Sequence, residues 1–200
     1  IKPGEKIQNP SKLRVDLRFY AEVLQSGIFT NKHAFSLLGL VLTTLINMDK
    51  EEHINVSIIL TFSKHCGDDY AGLVPRKMRE LASKYEITIP KSTFLPPEKQ
   101  QNVRSLLKDY FLSLSKHLLK DHQELQNFEK QNMKILQTKG ELSQERKDKQ
   151  ESLQSAYDKL LINTQNFAEI LDEDMPILKV QMFPKTEEVR AVKAFLILLT

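Results

Sequence analysis

The stretch ILQTKGELSQER, residues 135–146, decides the fold because it places a turn between two long amphipathic segments. Gly140 predicts the end of a helix, since glycine favours the left-handed conformation that closes helix C-termini. Ser143 follows three residues later and is a residue type that begins helices. We therefore predict a long helical hairpin over residues 97–174, with the chain reversing at Gly140.

The two arms of this hairpin carry apolar side chains at the spacing of a heptad seam. In the first arm they are Leu107, Phe111, Leu114, Leu118, Leu125, Phe128 and Ile135, with polar Asp121 and Asn132 in the two gaps. In the second they are Leu142, Leu153, Ala156, Leu160, Phe167 and Ile170, with charged Arg146 and Lys149 near the turn. Apolar halves are expected to meet at the root and polar halves at the tip. An arm of about forty residues would be about 60 Å long, which suits a scaffold better than a pocket.

Charge differs between the arms. Residues 98–139 carry 8 basic and 5 acidic side chains, whereas residues 140–176 carry 4 and 9. Opposite net charges predict that the arms complement each other across an antiparallel pair. The whole chain has a formal charge of +3 over 200 residues, which is weak evidence for any charged partner.

No apolar run approaches the roughly 18 residues that a membrane span needs, so we expect no membrane association.

Four shorter helices are predicted before the hairpin. The first begins at Pro10 and ends at Gly27, and Asn31 caps the second. The third runs from about Glu52 to a stop at Gly67. Pro75 begins the fourth. The residues expected to face inward from this fourth helix are Met78, Leu81, Ala82 and Tyr85.

Three antiparallel helix pairs result, so the predicted fold is an all-α, HEAT-like α-solenoid that ends in the long hairpin. We expect residues 10–176 to form part of one such solenoid and residues 177–200 to be a divergent tail of unknown role. The chain begins at Ile1 rather than Met, so we expect a fragment. A preceding repeat would then be missing, which leaves Phe19 and Val23 uncovered unless the apolar residues 194–199 (AFLILL) fold over them.

The densest group of reactive side chains is HCGDDY, residues 65–70. It raises the hypotheses of a catalytic thiol or a metal site. Neighbouring residues on a helix point about 100° apart, however, so His65 and Cys66 do not face each other. We favour a structural role in which Gly67 ends a helix and Asp68 or Asp69 caps the next segment.

Two further patterns bear on chemistry. His117 and His122 are five residues apart, about 140° around a helix, so they cannot share a metal and are expected to be exposed polar positions. The single cysteine, Cys66, excludes an internal disulfide framework. The sequence contains no glycine-rich phosphate loop, nucleophile elbow or Cys-x-x-Cys pair. We therefore expect no catalysis and no cofactor.

A basic patch is the remaining candidate site. Arg76, Lys77 and Arg79 open the predicted fourth helix, and Lys64 on the helix before it is placed to join them. Such a patch would bind phosphate or an acidic partner. The alternative is a solvated helix face. No aromatic residues are interleaved for stacking on bases, so direct base reading is not expected.

Several polar stretches, together with the core pattern, resemble a known family. They are residues 12–19 (KLRVDLRF), 65–69, 71–77, 97–101, 116–118, 121–127, 139–143 and 171–176. They are similar to the first middle domain of the regulator of nonsense transcripts 2 family, the up-frameshift scaffolds of nonsense-mediated mRNA decay. That domain resembles the central α-solenoid of translation initiation factor four-gamma. The helices that this resemblance leads us to expect before Pro10 are not found in the sequence. The similarity itself ends near Lys179.

The resemblance implies a non-enzymatic scaffold in mRNA surveillance. It implies that the up-frameshift helicase and a further up-frameshift protein are partners, held through other domains of the whole protein. It also implies a cytoplasmic, perinuclear location, with a nuclear one as the alternative. No binding residue is carried over. The alternative function is an RNA-binding module that grips phosphate weakly through Lys64, Arg76, Lys77 and Arg79.

Overall fold

The computed structural model describes residues 7–27 and 32–178 and is built from six α-helices over those ranges. The helices are α1 Pro10–Gln25, α2 Lys32–Asp49, α3 Val56–Ala71, α4 Arg76–Lys84, α5 Pro97–Lys139 and α6 Gln144–Leu171. The described part of the chain contains no strand, which confirms the all-α prediction. None of these helices has the length and apolar character needed to cross a membrane.

Helix α3 lies at the centre and contacts α1, α2, α5 and α6. Its run of Ile58, Ile59 and Phe62 is at most 1% exposed. These β-branched and aromatic residues favour a strand by propensity, but burial against helices on several sides decides the outcome. The core therefore surrounds α3 and extends along the root of α5, where Leu107, Leu114 and Leu118 are fully buried.

The predicted end of the third helix at Gly67 is wrong. The helix continues through Gly67 to Ala71 and closes at Gly72, whose φ is 59°. Gly67 serves close packing instead, because a Cβ there would lie 2.9 Å from Cδ1 of Leu73. Asp68 and Asp69 consequently lie inside the last turns of α3 rather than capping the next segment.

Side chains of α5 close the C-terminus of α3. The Nε of Arg104 donates to the carbonyl oxygen of Ala71 at 3.0 Å, and its Nη2 donates to that of Gly72. Terminal helix carbonyls have no partner within their own helix, so these bonds satisfy groups that would otherwise be costly to bury. The contact fixes where α5 crosses α3.

The hairpin turns at Gly140 as predicted, with φ of 81° and its N–H donating to Leu136 at 2.9 Å. The seam of α5 is buried at Leu107, Phe111, Leu114, Leu118, Leu125 and Phe128. On α6 the prediction of a buried Ala156 is wrong, because Tyr157 is the buried residue. The seam steps regularly through Tyr157 and Thr164, and the Thr164 hydroxyl donates to Leu160 at 2.7 Å, which lets it stay buried.

Polar side chains join the arms near the tip, as the sequence indicates. Asn132 is 3% exposed, accepts from Nε of Arg146 at 2.6 Å and donates to Oε1 of Gln150 at 2.8 Å. The predicted charge complementarity does not take the form of ion pairs between α5 and α6. Lys108 of α5 pairs with Glu173, beyond the end of α6.

Apolar side chains on α4 and α1 are exposed within the described part of the chain. Met78, Leu81 and Tyr85 are 53–61% exposed, so the prediction that they face inward is wrong. Among the described helices α4 contacts α6 alone, and its polar contacts there and at Asp172 are made by Arg76, Arg79 and the backbone N–H of Lys77. On α1, Phe19 is 67% exposed, as expected, whereas Val23 is half-buried. The apolar tail that would cover this face, residues 194–199, lies outside the described residues.

Truncating Leu114 to alanine tests the core at the hairpin root. Leu114 is fully buried, whereas Leu112 on the same helix is 57% exposed. Leu114→Ala should lower the free energy of unfolding by about 2–5 kcal/mol through lost burial and a residual cavity. Leu112→Ala, the matched control, should change it by less than about 0.5 kcal/mol. Urea unfolding followed by circular dichroism measures both, and equal losses would contradict the assigned core.

Candidate functional site

The basic residues of the predicted patch meet the C-terminal end of α6. The Nε of Arg76 lies 2.8 Å from Oδ1 of Asp172, and its Nη2 donates to the Glu173 carbonyl oxygen and to Oδ1 of Asp174, both at 3.0 Å. Arg79 forms an ion pair with the other carboxylate oxygen of Asp172. Two guanidinium groups therefore share one carboxylate.

The two arginines and Asp172 each lie at a helix end whose dipole disfavours their charge, and pairing them offsets this cost. Arg76 and Arg79 lie near the start of α4, where the helix dipole is positive, and Asp172 lies at the end of α6, where it is negative. Bringing the two helix ends together neutralises both. Asp172 also adopts φ of 55°, a left-handed conformation that aspartate tolerates better than most residues. The patch thus fastens α4 to α6.

The other two members of the predicted patch differ in their surroundings. The backbone N–H of Lys77 donates to Oε1 of Glu169 at 2.7 Å, so a carboxylate from α6 caps the start of α4. Its side chain is exposed. Lys64 is exposed on α3, a helix that α4 does not contact. The structure therefore brings together Arg76 and Arg79 and leaves Lys64 on a different element.

The segment HCGDDY is part of helix α3. Cys66 is fully buried while His65 is exposed, so the two side chains lie on different faces. Burial, with a contribution from Glu22, raises the pKa of the Cys66 thiol to about 12, which keeps it protonated at neutral pH. A thiol in this state is a poor nucleophile. Within residues 7–27 and 32–178, no group of three His, Cys, Asp or Glu side chains is placed to hold a metal ion.

A buried polar cluster, which sequence reasoning missed, lies between the α2–α3 turn and α5. The Nδ1 of His53 is 2.8 Å from Nδ1 of His117, and its Nε2 is 3.1 Å from Oγ of Ser113. Asp49 is 1% exposed and accepts from Tyr110 and from the backbone N–H of Asn55. A hydrogen bond between two Nδ1 atoms needs one N–H and one lone pair, so the two rings share a single proton there.

The prediction that His117 is an exposed polar position is therefore wrong. His117 is partly buried, contacts His53 and lies 3.4 Å from Asp121 through Nε2. His122 is partly buried too, with its ring 5.5 Å from that of Tyr157. The available signal was the spacing of Tyr110, Ser113 and His117, a polar line at helical steps of three and four.

Titration of the cluster has a clear direction. Burial first, and the neighbouring His117 second, lower the pKa of His53 to about 4. Burial raises the pKa of Asp49, although its hydrogen bond from Tyr110 opposes that shift. His53 is thus neutral near pH 7 and holds the turn by hydrogen bonds rather than by charge. Its φ of 54° is left-handed, which marks the turn as a position under local constraint.

Curated proteins resemble this chain along most of its length. It is 51% identical over 184 residues to regulator of nonsense transcripts 2 of Mus musculus and of Homo sapiens. It is 23% identical over 178 residues to regulator of nonsense transcripts UPF2 of Arabidopsis thaliana. The alignments cover 92% of the chain for the mammalian proteins and 88% for the plant protein, but the chain spans only 14% of each relative. No family model matches the chain.

A solved structure agrees in fold. The crystal structure of the first MIF4G domain of human nonsense mediated decay factor UPF2 matches with a TM-score of 0.83 at 51% identity. The match covers 88% of this chain and 57% of that chain. It confirms the predicted helical solenoid.

Replacing Asp172 by asparagine tests the fastening of α4 to α6. Asparagine accepts the left-handed conformation, so the change removes charge without adding backbone strain. We expect a loss of about 1 kcal/mol in the free energy of unfolding, because the ion pairs are partly exposed. Freed arginines should also raise retention on heparin at low salt. Asp109→Asn, an exposed site on α5, is the matched control, and equal behaviour of the two variants would contradict the assignment.

Replacing His53 by asparagine tests the buried cluster. Because the pKa of His53 is about 4 when folded and about 6.5 when unfolded, the unfolded chain binds more protons between these values. The free energy of unfolding should therefore fall as pH drops from about 6.5 to 4, on the order of 2 kcal/mol. His53→Asn keeps the left-handed turn and should flatten this dependence.

Asp49 is present in both the wild type and the His53→Asn variant. Its contribution to the pH dependence of stability therefore cancels when the two are compared. Its raised pKa acts in the opposite direction, because the folded state takes up that proton more readily. Urea unfolding at several pH values between 4 and 7 gives the two slopes. Parallel slopes would show that His53 does not supply the pH dependence.

Proposed function

Because this chain is homologous to the first MIF4G domain of regulator of nonsense transcripts 2, we propose that it is a non-enzymatic scaffold domain of nonsense-mediated mRNA decay. In this role it organises protein–protein contacts of the surveillance complex. The observation that carries the proposal is the match to the human UPF2 domain at a TM-score of 0.83 and 51% identity. The chain spans 14% of its curated mammalian relatives, so the activity of the whole protein enters only as a proposal.

The geometry of the long hairpin is consistent with a domain that presents surface to partner proteins. α5 is 43 residues long, about 64 Å at 1.5 Å per residue. Its first half carries the fully buried Leu107, Leu114 and Leu118, whereas beyond Leu118 most of its side chains are exposed or half-buried. A long arm on a buried base offers surface to partners rather than a closed pocket for a small substrate.

The absence of catalysis is also part of the proposal. It is supported by the protonated, buried thiol of Cys66 and by the use of Arg76 and Arg79 in structural ion pairs. His53 and His117 satisfy one another within the fold. Each of these reactive groups has a structural partner or a buried environment.

We also propose the partners that the family resemblance implies. The up-frameshift helicase and a further up-frameshift protein are expected to associate through other domains of the whole protein, with this domain positioning them. We also propose a cytoplasmic, perinuclear location. Imaging a fluorescent fusion of the whole protein tests it, and an exclusively nuclear signal would overturn it.

RNA binding through the basic patch is less well supported than the scaffold role. Arg76 and Arg79 are paired with Asp172 and Asp174, and Lys64 lies on a helix that α4 does not contact. The patch therefore does not present four free cations on one surface. Phosphate would have to compete with a carboxylate that is already in place.

A pull-down from cell extract, with and without nuclease, tests the proposed function. Decay proteins should be retained after nuclease treatment, because a scaffold contacts protein rather than RNA. Partners that vanish with nuclease would instead favour the RNA-binding module. The matched variant shortens the hairpin tip by removing residues 142–149. Loss of partners in that variant would assign the contact to the arm, and unchanged partners would assign it to the helices around α3.

A further inference from the structure

The flank of the hairpin near its tip contains a groove that no structural role explains. It is an open groove of about 490 Å³ between α5 and α6. Cationic Lys120, Arg146 and Lys149 line it, together with one acidic residue, Glu124. The surface is therefore positive, although α6 as a whole is acidic.

Two of the cations are held in place before any partner arrives. The guanidinium of Arg146 lies 4.7 Å from the ring centroid of Phe128 and donates to Asn132 at 2.6 Å. The ammonium of Lys149 lies 5.4 Å from the same ring. Ordering long side chains is a main cost of binding at a surface. Here the contacts with Phe128 and Asn132 reduce that cost.

Side-chain amides of α5 line one side of the groove. Gln123, Asn127 and Gln131 line the groove at steps of four residues, about 6 Å apart at 1.5 Å per residue. An extended peptide presents equivalent backbone groups about every 6.6 Å. An amide both donates and accepts hydrogen bonds, as the peptide backbone does. The row therefore matches an extended chain.

The cations set a second spacing. Lys120 lies at one end of the row, and Arg146 and Lys149 lie at the level of Phe128, eight residues further along. Eight residues of helix span about 12 Å, which matches two side chains four residues apart on an extended peptide. Glu124 stands between them and would repel a third acidic group in the middle.

From these spacings we propose that the groove binds an extended, acidic peptide segment of a partner protein, with two carboxylates four residues apart. The inference rests on the proposed scaffold function and names the class of partner. Single-stranded RNA fits less well, because the one aromatic ring lining the groove, Phe128, is 9% exposed and covered by the two cations. No open ring is left there for base stacking.

Fluorescence anisotropy at low salt tests the proposal with two labelled twelve-residue peptides of the same composition. One carries two glutamates four positions apart in a serine and asparagine background, and the other carries them side by side. The spaced peptide should bind more tightly. The double variant Lys120→Glu, Lys149→Glu should weaken it by about tenfold, and Glu124→Gln should strengthen it.

Lys147→Glu is the matched control for the single variant Lys120→Glu, because it likewise reverses one charge, on an exposed residue of α6 outside the groove. It should weaken binding by less than about twofold. Thermal unfolding shows whether the double variant is folded, and Lys120→Glu alone leaves the contacts of Phe128 untouched. Equal effects of the control and groove variants, or equal binding of both peptides, would overturn the proposal.

Oligouridylate as a competitor separates the two classes of ligand. If oligouridylate, at concentrations up to the Kd of the spaced peptide, displaces none of that peptide, the peptide assignment holds. If it binds more tightly than the peptide and loses that binding in the same variants, the groove is an RNA site and the proposal is wrong. A negative result here would leave the nuclease-resistant pull-down unchanged, so the scaffold function is judged separately.

Discussion

Burial of α3 on several sides is the constraint on which the rest of the structure depends. Side chains such as Ile59 and Phe62 are nearly inaccessible to water, and no single neighbouring helix covers them. The chain must therefore wrap α1, α2, α5 and α6 around one segment. Arg104 then fixes the crossing of α5 by closing the C-terminus of α3. The long hairpin is possible because its root is locked into this core.

Local patterns predicted much of the fold, and their failures have a common cause. The reversal at Gly140 was predictable because the heptad seams on either side are local and long. Gly67 was misread because a glycine packed against Leu73 resembles a stop glycine in sequence, and only the neighbouring backbone distinguishes them. Amphipathic spacing indicated a face on α4, but spacing does not reveal whether any element lies opposite it.

The candidate sites likewise combine features that local sequence predicts with contacts that only the topology of the fold determines. Basic residues at the start of α4 were identified correctly, yet their acidic partner, Asp172, is 96 residues from Arg76 in the chain. The contact between His53 and His117 spans 64 residues. Pairings at such separations are set by topology and not by local composition. Once they are known, the α4 patch becomes structural, and the hairpin flank becomes the better candidate for an interaction surface.

The hairpin beyond Leu118 is also a lever. About twenty residues of α5 continue past the packed root, which is about 30 Å at 1.5 Å per residue. A rocking of about 10° at the base would swing the tip through about 5 Å, comparable with one helical turn. A small shift of side chains around α3 would thus produce a larger displacement of the tip. In the same way, a force applied at the tip would exert a torque on the core. The arm therefore couples the position of its own tip to the packing of the domain's centre.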